Sequence, residues 1–210
     1  MHVAILTFEG FNELDSLIAL GVLNRVRTPG WRVSLACPTA TVTSMNGVTV
    51  HAQSTLEDAC MADAVIVGSG MRTREIVADR ALMARLGLDP GRQLIGAQCS
   101  GTLILAKLGL LGGVPACTDL TSKPWVQEAG VEVINQPFFA QGNVATAGGC
   151  LASQYLAAWV IARLHGEEAA RQAIRYVAPV GEKEDYVERA MGNIRSAFES
   201  RQPEQRLRSA

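Results

Sequence analysis

The chain has 210 residues, 48% of them hydrophobic and 19% charged, which is enough apolar material to bury a substantial core. Its formal net charge of −1 supplies no basic field for a phosphate backbone, so nucleic acid is excluded as a default partner. No apolar run approaches the roughly 18 residues needed to cross a bilayer, so no membrane partner is expected, and a small-molecule substrate or protein association remains.

Apolar runs of strand length alternate with helical periods, the pattern of a parallel sheet covered by helices on both faces. The opening run Val3-Ala4-Ile5-Leu6 reads as a strand over 2–8, without the basic flank or length of a secretory signal. A helix over 12–26 follows, with Leu14, Leu17, Ile18 and Leu20 at helical spacing, then a strand over 31–37. Asn46-Gly47 is the pair of a tight hairpin turn. Next come a buried strand over 64–67, a helix over 72–86, a buried strand over 94–97 and an apolar helix over 102–108. Short strands are expected over 115–118, 131–134 and 143–146, with a helix over 122–129 between the first two. Helices over 151–165, 167–176 and 181–199 close the pattern, leaving 200–210 as a frayed tail beyond a single domain over 1–199.

Five cysteines, Cys37, Cys60, Cys99, Cys117 and Cys150, are odd in number and scattered, with no C-x-x-C pair to suggest zinc or a dithiol. Reduced thiols in a cytoplasmic protein fit best, and no metal is expected. Cys117 and Cys150 can lie near the same sheet edge as the site, but their apolar or glycine-rich neighbours favour an inert reading for both.

Cys99 differs. Ala97-Gln98-Cys99-Ser100-Gly101 joins a buried strand to a helix, the context required of a nucleophile elbow, with small residues on either side to permit the sharp turn. Amides at a helix start favour a thiolate, so the Cys99 pKa is expected below the free value. The competing reading, a buried small hydrophobe, lacks this context. Gly68-Ser69-Gly70, after a neighbouring strand, is placed to offer backbone donors to a developing oxyanion, or is an ordinary tight turn. Asp15 lies just after the first strand, at the sheet edge where open α/β proteins build their sites. If it is buried against Cys99 its pKa rises and it becomes a general acid; from spacing alone it is equally an acid favouring a helix start, the reading preferred for Glu13.

These motifs, in this order over residues 2–180, resemble the ThiJ/PfpI family of the class I glutamine amidotransferase-like superfamily, and within it the isonitrile hydratases. The resemblance implies a flavodoxin-like α/β sandwich with a mostly parallel central sheet and a cysteine nucleophile elbow. It assigns Cys99 as nucleophile, Asp15 as the acid facing it and Gly70 as an oxyanion donor. It makes Ala145-Thr146-Ala147-Gly148-Gly149 the loop that closes the pocket, so Gly148 is a candidate binding residue. Many relatives carry a histidine after the elbow helix in a Thr-Thr-His-Trp segment; here Asp119 stands in its place, within Cys117-Thr118-Asp119-Leu120. His2, His51 and His165 match no such position, so a Cys–His dyad is not expected and the chemistry shifts to a Cys–carboxyl pair.

The expectation is therefore a cofactor-free lyase adding water to a small electrophile such as an isonitrile, with Ser100 or Thr102 orienting water and Asp119 either turned away or holding a substrate group. A glyoxalase-like reaction on 2-oxoaldehydes, and a non-catalytic redox sensor or chaperone-like dimer, are the alternatives. Homodimerisation follows from the resemblance, with the helices over 12–26 and 185–198 as candidate contacts.

Overall fold

The structure, a computed structural model, describes residues 1–199; the expected tail over 200–210 lies outside the described residues. Val3 and Ile5 face one side of the first strand, β1 (His2–Leu6), while Ala4 and Leu6 face the other, and all four are fully buried. A strand apolar on both faces needs cover on both faces, and the rest of the chain supplies it.

After β1 come α1 (Glu13–Leu23), β2 (Arg32–Cys37), the hairpin β3 (Thr41–Thr43) and β4 (Thr49–His51), β5 (Ser54–Thr55), α2 (Leu56–Cys60) and β6 (Ala64–Val67). Then follow α3 (Thr73–Ala78), α4 (Arg80–Ala84), β7 (Leu94–Gln98), α5 (Gly101–Lys107), α6 (Lys123–Glu128), β8 (Phe138–Gln141) and β9 (Val144–Ala147). A 3₁₀ turn (Cys150–Ala152), α7 (Ser153–His165), α8 (Glu167–Val177), α9 (Lys183–Ile194) and α10 (Ser196–Glu199) complete the described chain.

The main sheet runs β5-β2-β1-β6-β7-β9-β8, parallel throughout except that β8 pairs antiparallel with β9. One face packs on α1, α7, α8 and α9 around Trp159 and Leu156, and the other on α2, α3 and α5 around Leu56, Ile76 and Ile104. This is the flavodoxin-like sandwich expected. From β1 the chain winds first to β2 and then back across to β6, so the strand order reverses there, and the crevice beyond the carboxyl ends of β1 and β6 is the place for a site.

Several boundaries differ from expectation. The expected helix over 72–86 breaks at Asp79, whose extended backbone (φ −80°, ψ 97°) lets its carboxylate accept from the amides of Ala81 and Leu82 and start α4. The expected strands over 115–118 and 131–134 reduce to one isolated bridge, Ala116 to Val133. Of the helices expected as dimer contacts, α1 packs on α7 and α9 on α8 and α7, while Leu14 of α1 stays 52% exposed. No helix among the described residues is long and apolar enough to cross a membrane.

Candidate active site

Three loops are stitched over the carboxyl edge of the sheet. The Asn12 amide donates to Ser69 O (2.9 Å), the Met71 amide to Gly10 O (2.9 Å) and the Met45 amide to Phe11 O (2.9 Å), joining the loops after β1 and β6 to the hairpin turn. Gly70 is required by this approach: a Cβ there would lie 2.5 Å from Gly10 O.

The elbow has the predicted geometry. Cys99 is the one non-glycine residue with positive φ (+46°) among those described, a conformation that costs an ordinary residue roughly 1–3 kcal/mol. Both sides of the turn are tied down: the Cys99 amide donates to Ala147 O (2.8 Å), and Thr118 Oγ1 donates to Cys99 O (2.8 Å). Gly101 lets α5 start against the sheet, since a Cβ would sit 2.6 Å from Val67 O.

Asp15 is fully buried, and its backbone carbonyl accepts from Ser153 Oγ (3.0 Å). Ser69 Oγ donates to Asp15 Oδ2, while Asp15 Oδ1 has no N–H or O–H donor among the described residues. Instead the thiols of Cys99 and Cys150 adjoin the carboxyl group, and one oxygen of Asp15 and the two sulfurs all lie within 4.8 Å of one another. Burial pushes the Asp15 carboxyl above the usual carboxylate range, against the opposing hydrogen bonds from Ser69 and the two thiols. The ambiguity left by spacing is thereby resolved: Asp15 faces the nucleophile, and Glu13 is bound to Ser44 and Asn46 at the hairpin.

The expected fall in the Cys99 pKa is reversed. Burial first, then the Asp15 charge, push the thiol far above its ordinary value. The start of a seven-residue helix does not offset a desolvated sulfur facing a carboxylate. Cys99 therefore rests as a thiol, and its proton has an acceptor in Asp15.

Cys150 joins this cluster from the same sheet edge: it heads the 3₁₀ turn after β9, and since β9 neighbours β7 this second strand-to-helix turn stands beside the first, with burial pushing its thiol above the ordinary value. Each sulfur receives an amide N–H: Gln98 Nε2 donates to Cys99 Sγ (3.4 Å) and Asn12 Nδ2 to Cys150 Sγ (3.3 Å). Asn12 is aimed by its capping bond, its Oδ1 accepting from the Leu14 amide. Asn12, Ser69 and Gln98 are the members to which the sequence assigns no role, and only the N-cap at Asn12 carries a local signal; Cys150 is legible as a residue of this sheet edge but not as a partner of Cys99.

The remaining candidates divide. Ser100 Oγ pairs with Thr73 Oγ1 (2.7 Å) and accepts from the Gly70 amide (3.2 Å), so the expected oxyanion donor is engaged by the Ser100 hydroxyl. Thr102 does not reach water: it is fully buried and donates to Cys117 O (2.9 Å), a structural clamp. Asp119 borders the cavity while its Oδ1 accepts from the amides of Thr121 and Ser122, and its charge adds to the upward push on Asp15 and Cys99. Gly148 lies against the Thr118 backbone rather than in the cavity, and a Cβ there would be 2.2 Å from Thr118 O. Because Thr118 holds the elbow, Gly148→Ala is expected to cost about 1–3 kcal/mol of stability by overpacking, read from denaturant unfolding.

The cavity holds about 280 Å³, with Cys99, Cys150 and Asn12 in its wall and Met45, Met71 and Trp125 supplying apolar surface. No histidine belongs to it: His2 bonds Ser34, His165 bonds Thr28, and His51 lies in β4.

The comparisons with known proteins agree with this construction. A THiJ/PfpI family protein from Pseudomonas syringae is similar over 93% of this chain and 88% of its own, at 19% identity and a TM-score of 0.75. Schizosaccharomyces pombe DJ-1 is similar over 85% of this chain and 100% of its own, at 14% identity and a TM-score of 0.73. A DJ-1 superfamily protein from Salmonella typhimurium is 24% identical over 84% of this chain and 97% of its own, with a TM-score of 0.72. At such identities these likenesses establish the fold. No curated protein sequence matches the chain. The DJ-1/PfpI family model matches residues 1–163, and with the cysteine elbow in place the chain belongs to the DJ-1/PfpI family.

Proposed function

We infer that this protein is a cysteine-dependent hydratase acting on a small, uncharged molecule with an electrophilic carbon, an isonitrile being the substrate class that best suits the site. The observation that carries this reading is the Cys99 thiol set against the buried Asp15 carboxyl at the wall of a small cavity. For an isonitrile, Cys99 Sγ bonds to the terminal carbon while that carbon takes the proton shared between Sγ and Asp15, giving a thioimidate. Water then adds to the same carbon, one of its protons passing through Asp15 to nitrogen, and as the C–S bond breaks the remaining hydroxyl proton returns to Sγ. The sum is one isonitrile and one water giving one N-substituted formamide, with the thiol and carboxyl restored. Asp15 and Asp119 together disfavour anionic substrates, and the Met45, Met71 and Trp125 surface suits an apolar substituent. The test is a panel of isonitriles and 2-oxoaldehydes with the purified protein. Formamide is the expected product; hydroxy acid instead would indicate the glyoxalase-like reaction, and no turnover of either would sink the hydratase reading.

A second reading, a thiol redox sensor, is favoured by the closeness of Cys150 to Cys99. Mild hydroperoxide treatment followed by mass spectrometry separates it: selective oxidation at Cys99 in a protein inert toward the whole panel supports a sensor. A cytoplasmic homodimer remains part of the proposal, checked by the mass of the purified protein in solution.

A further inference from the structure

We propose that Asp15, Cys99 and Cys150 form a binding site for a borderline-soft divalent cation, zinc being the natural occupant, with a fourth position open to the cavity. The donor set is two sulfurs and one carboxylate oxygen converging within 4.8 Å of one another. Around a tetrahedral zinc, with Zn–S near 2.3 Å and Zn–O near 2.0–2.2 Å, such donors stand roughly 3.4–3.8 Å apart, so small side-chain rotations close the site. Two thiolates and a carboxylate select zinc over magnesium or calcium, which demand all-oxygen shells.

Three further observations belong to the same site. Asp15 Oδ1 is a buried carboxylate oxygen without an N–H or O–H donor, a position that a cation satisfies. The amide hydrogens of Gln98 and Asn12 already point at the two sulfurs, and such N–H donors suit thiolate ligands, which accept more strongly than thiols. The wall beside Cys99 and Cys150 opens on the cavity of about 280 Å³, giving the ion an entry path and room for a water ligand. Charge balance is preserved: two thiol protons are exchanged for one dication, so the site carries the same single negative charge before and after binding. The consequence goes beyond the hydratase reading, because a bound zinc occupies the nucleophile and the acid together.

The test uses the full-length reduced protein without substrate, so its outcome is independent of whether isonitriles are turned over. Zinc titrated against a chromophoric chelator is expected to bind at one equivalent with release of about two protons. Cobalt(II) in its place is expected to give near-ultraviolet thiolate-to-cobalt charge transfer and the visible bands of tetrahedral coordination. Cys150→Ser and Cys99→Ala are each expected to weaken zinc by more than roughly 100-fold, and Asn12→Ala by roughly 10-fold. Cys60→Ser, whose thiol faces the Arg85 carbonyl, serves as the control that changes nothing. Wild-type cobalt spectra without thiolate charge transfer would overturn the proposal even if a variant failed to fold; so would unchanged affinity in both site-cysteine variants.

Discussion

Cys99→Ala is expected to abolish turnover, by roughly 10⁴-fold or more, while the chain still folds. The substitution keeps the Cβ and removes only the sulfur, and the turn is held by bonds that do not involve it: the Cys99 amide to Ala147 and the Cys99 carbonyl from Thr118. Alanine at φ +46° carries the same backbone strain as cysteine, so the elbow neither gains nor loses on that account. The substitution loses the packing of one sulfur and the thiol's hydrogen bond to Asp15, while Ser69 still donates to that carboxyl, so the melting temperature is expected to fall by only a few degrees. Cys99→Ser separates shape from reactivity, because its hydroxyl can still donate to Asp15 but is a far weaker nucleophile at neutral pH. Steady-state rates on the isonitrile panel, with thermal melts of the same samples, read both effects. A rate within a few-fold of wild type in Cys99→Ala would remove the covalent mechanism.

The chain's local patterns reveal its strands better than its site. Ala64 to Val67 and Leu94 to Ala97 are short apolar runs of strand length, each followed closely by glycine, as buried parallel strands are, and they are found within a residue of their expected limits. The elbow is legible for the same local reason, since the strand, the cysteine with Ala97 two before and Gly101 two after it, and the helix follow one another directly. The third member of the cluster is legible only in its place: Cys150 follows two glycines at the same sheet edge, and that it meets Cys99 is a fact of strand order, since β9 pairs with β7. Gln98 and Asn12 were hidden likewise, as their amides act on sulfurs that the fold brings to them. The thiol's protonation depended on burial beside a carboxylate, which no motif records; helix-end reasoning alone gave the wrong direction. β8 was missed because its antiparallel pairing with β9 adds an edge strand outside the repeating βα pattern.

Asp15→Asn is expected to move activity and stability in opposite directions. Burial raises the folded-state pKa of Asp15 above its unfolded value of 3.8. Between the two values the native state binds more protons than the unfolded state, so unfolding free energy falls as pH rises through that window and stays at the lower level above it. At neutral pH the wild type carries that cost; a neutral amide does not, and its oxygen still accepts from Ser69. Asp15→Asn should therefore melt higher than wild type near pH 7, by roughly 2–4 °C for each kcal/mol recovered, with the difference closing as pH falls below the raised pKa. Turnover should fall by roughly 10²–10⁴-fold, because the amide can neither take the Cys99 proton nor return one to substrate. Melting curves across pH and rates on one preparation read the two effects together. A variant that melts lower at neutral pH and keeps its rate would mean that Asp15 is a structural acid, and Cys99 would then need another proton acceptor in a cavity whose lining carboxylate is Asp119.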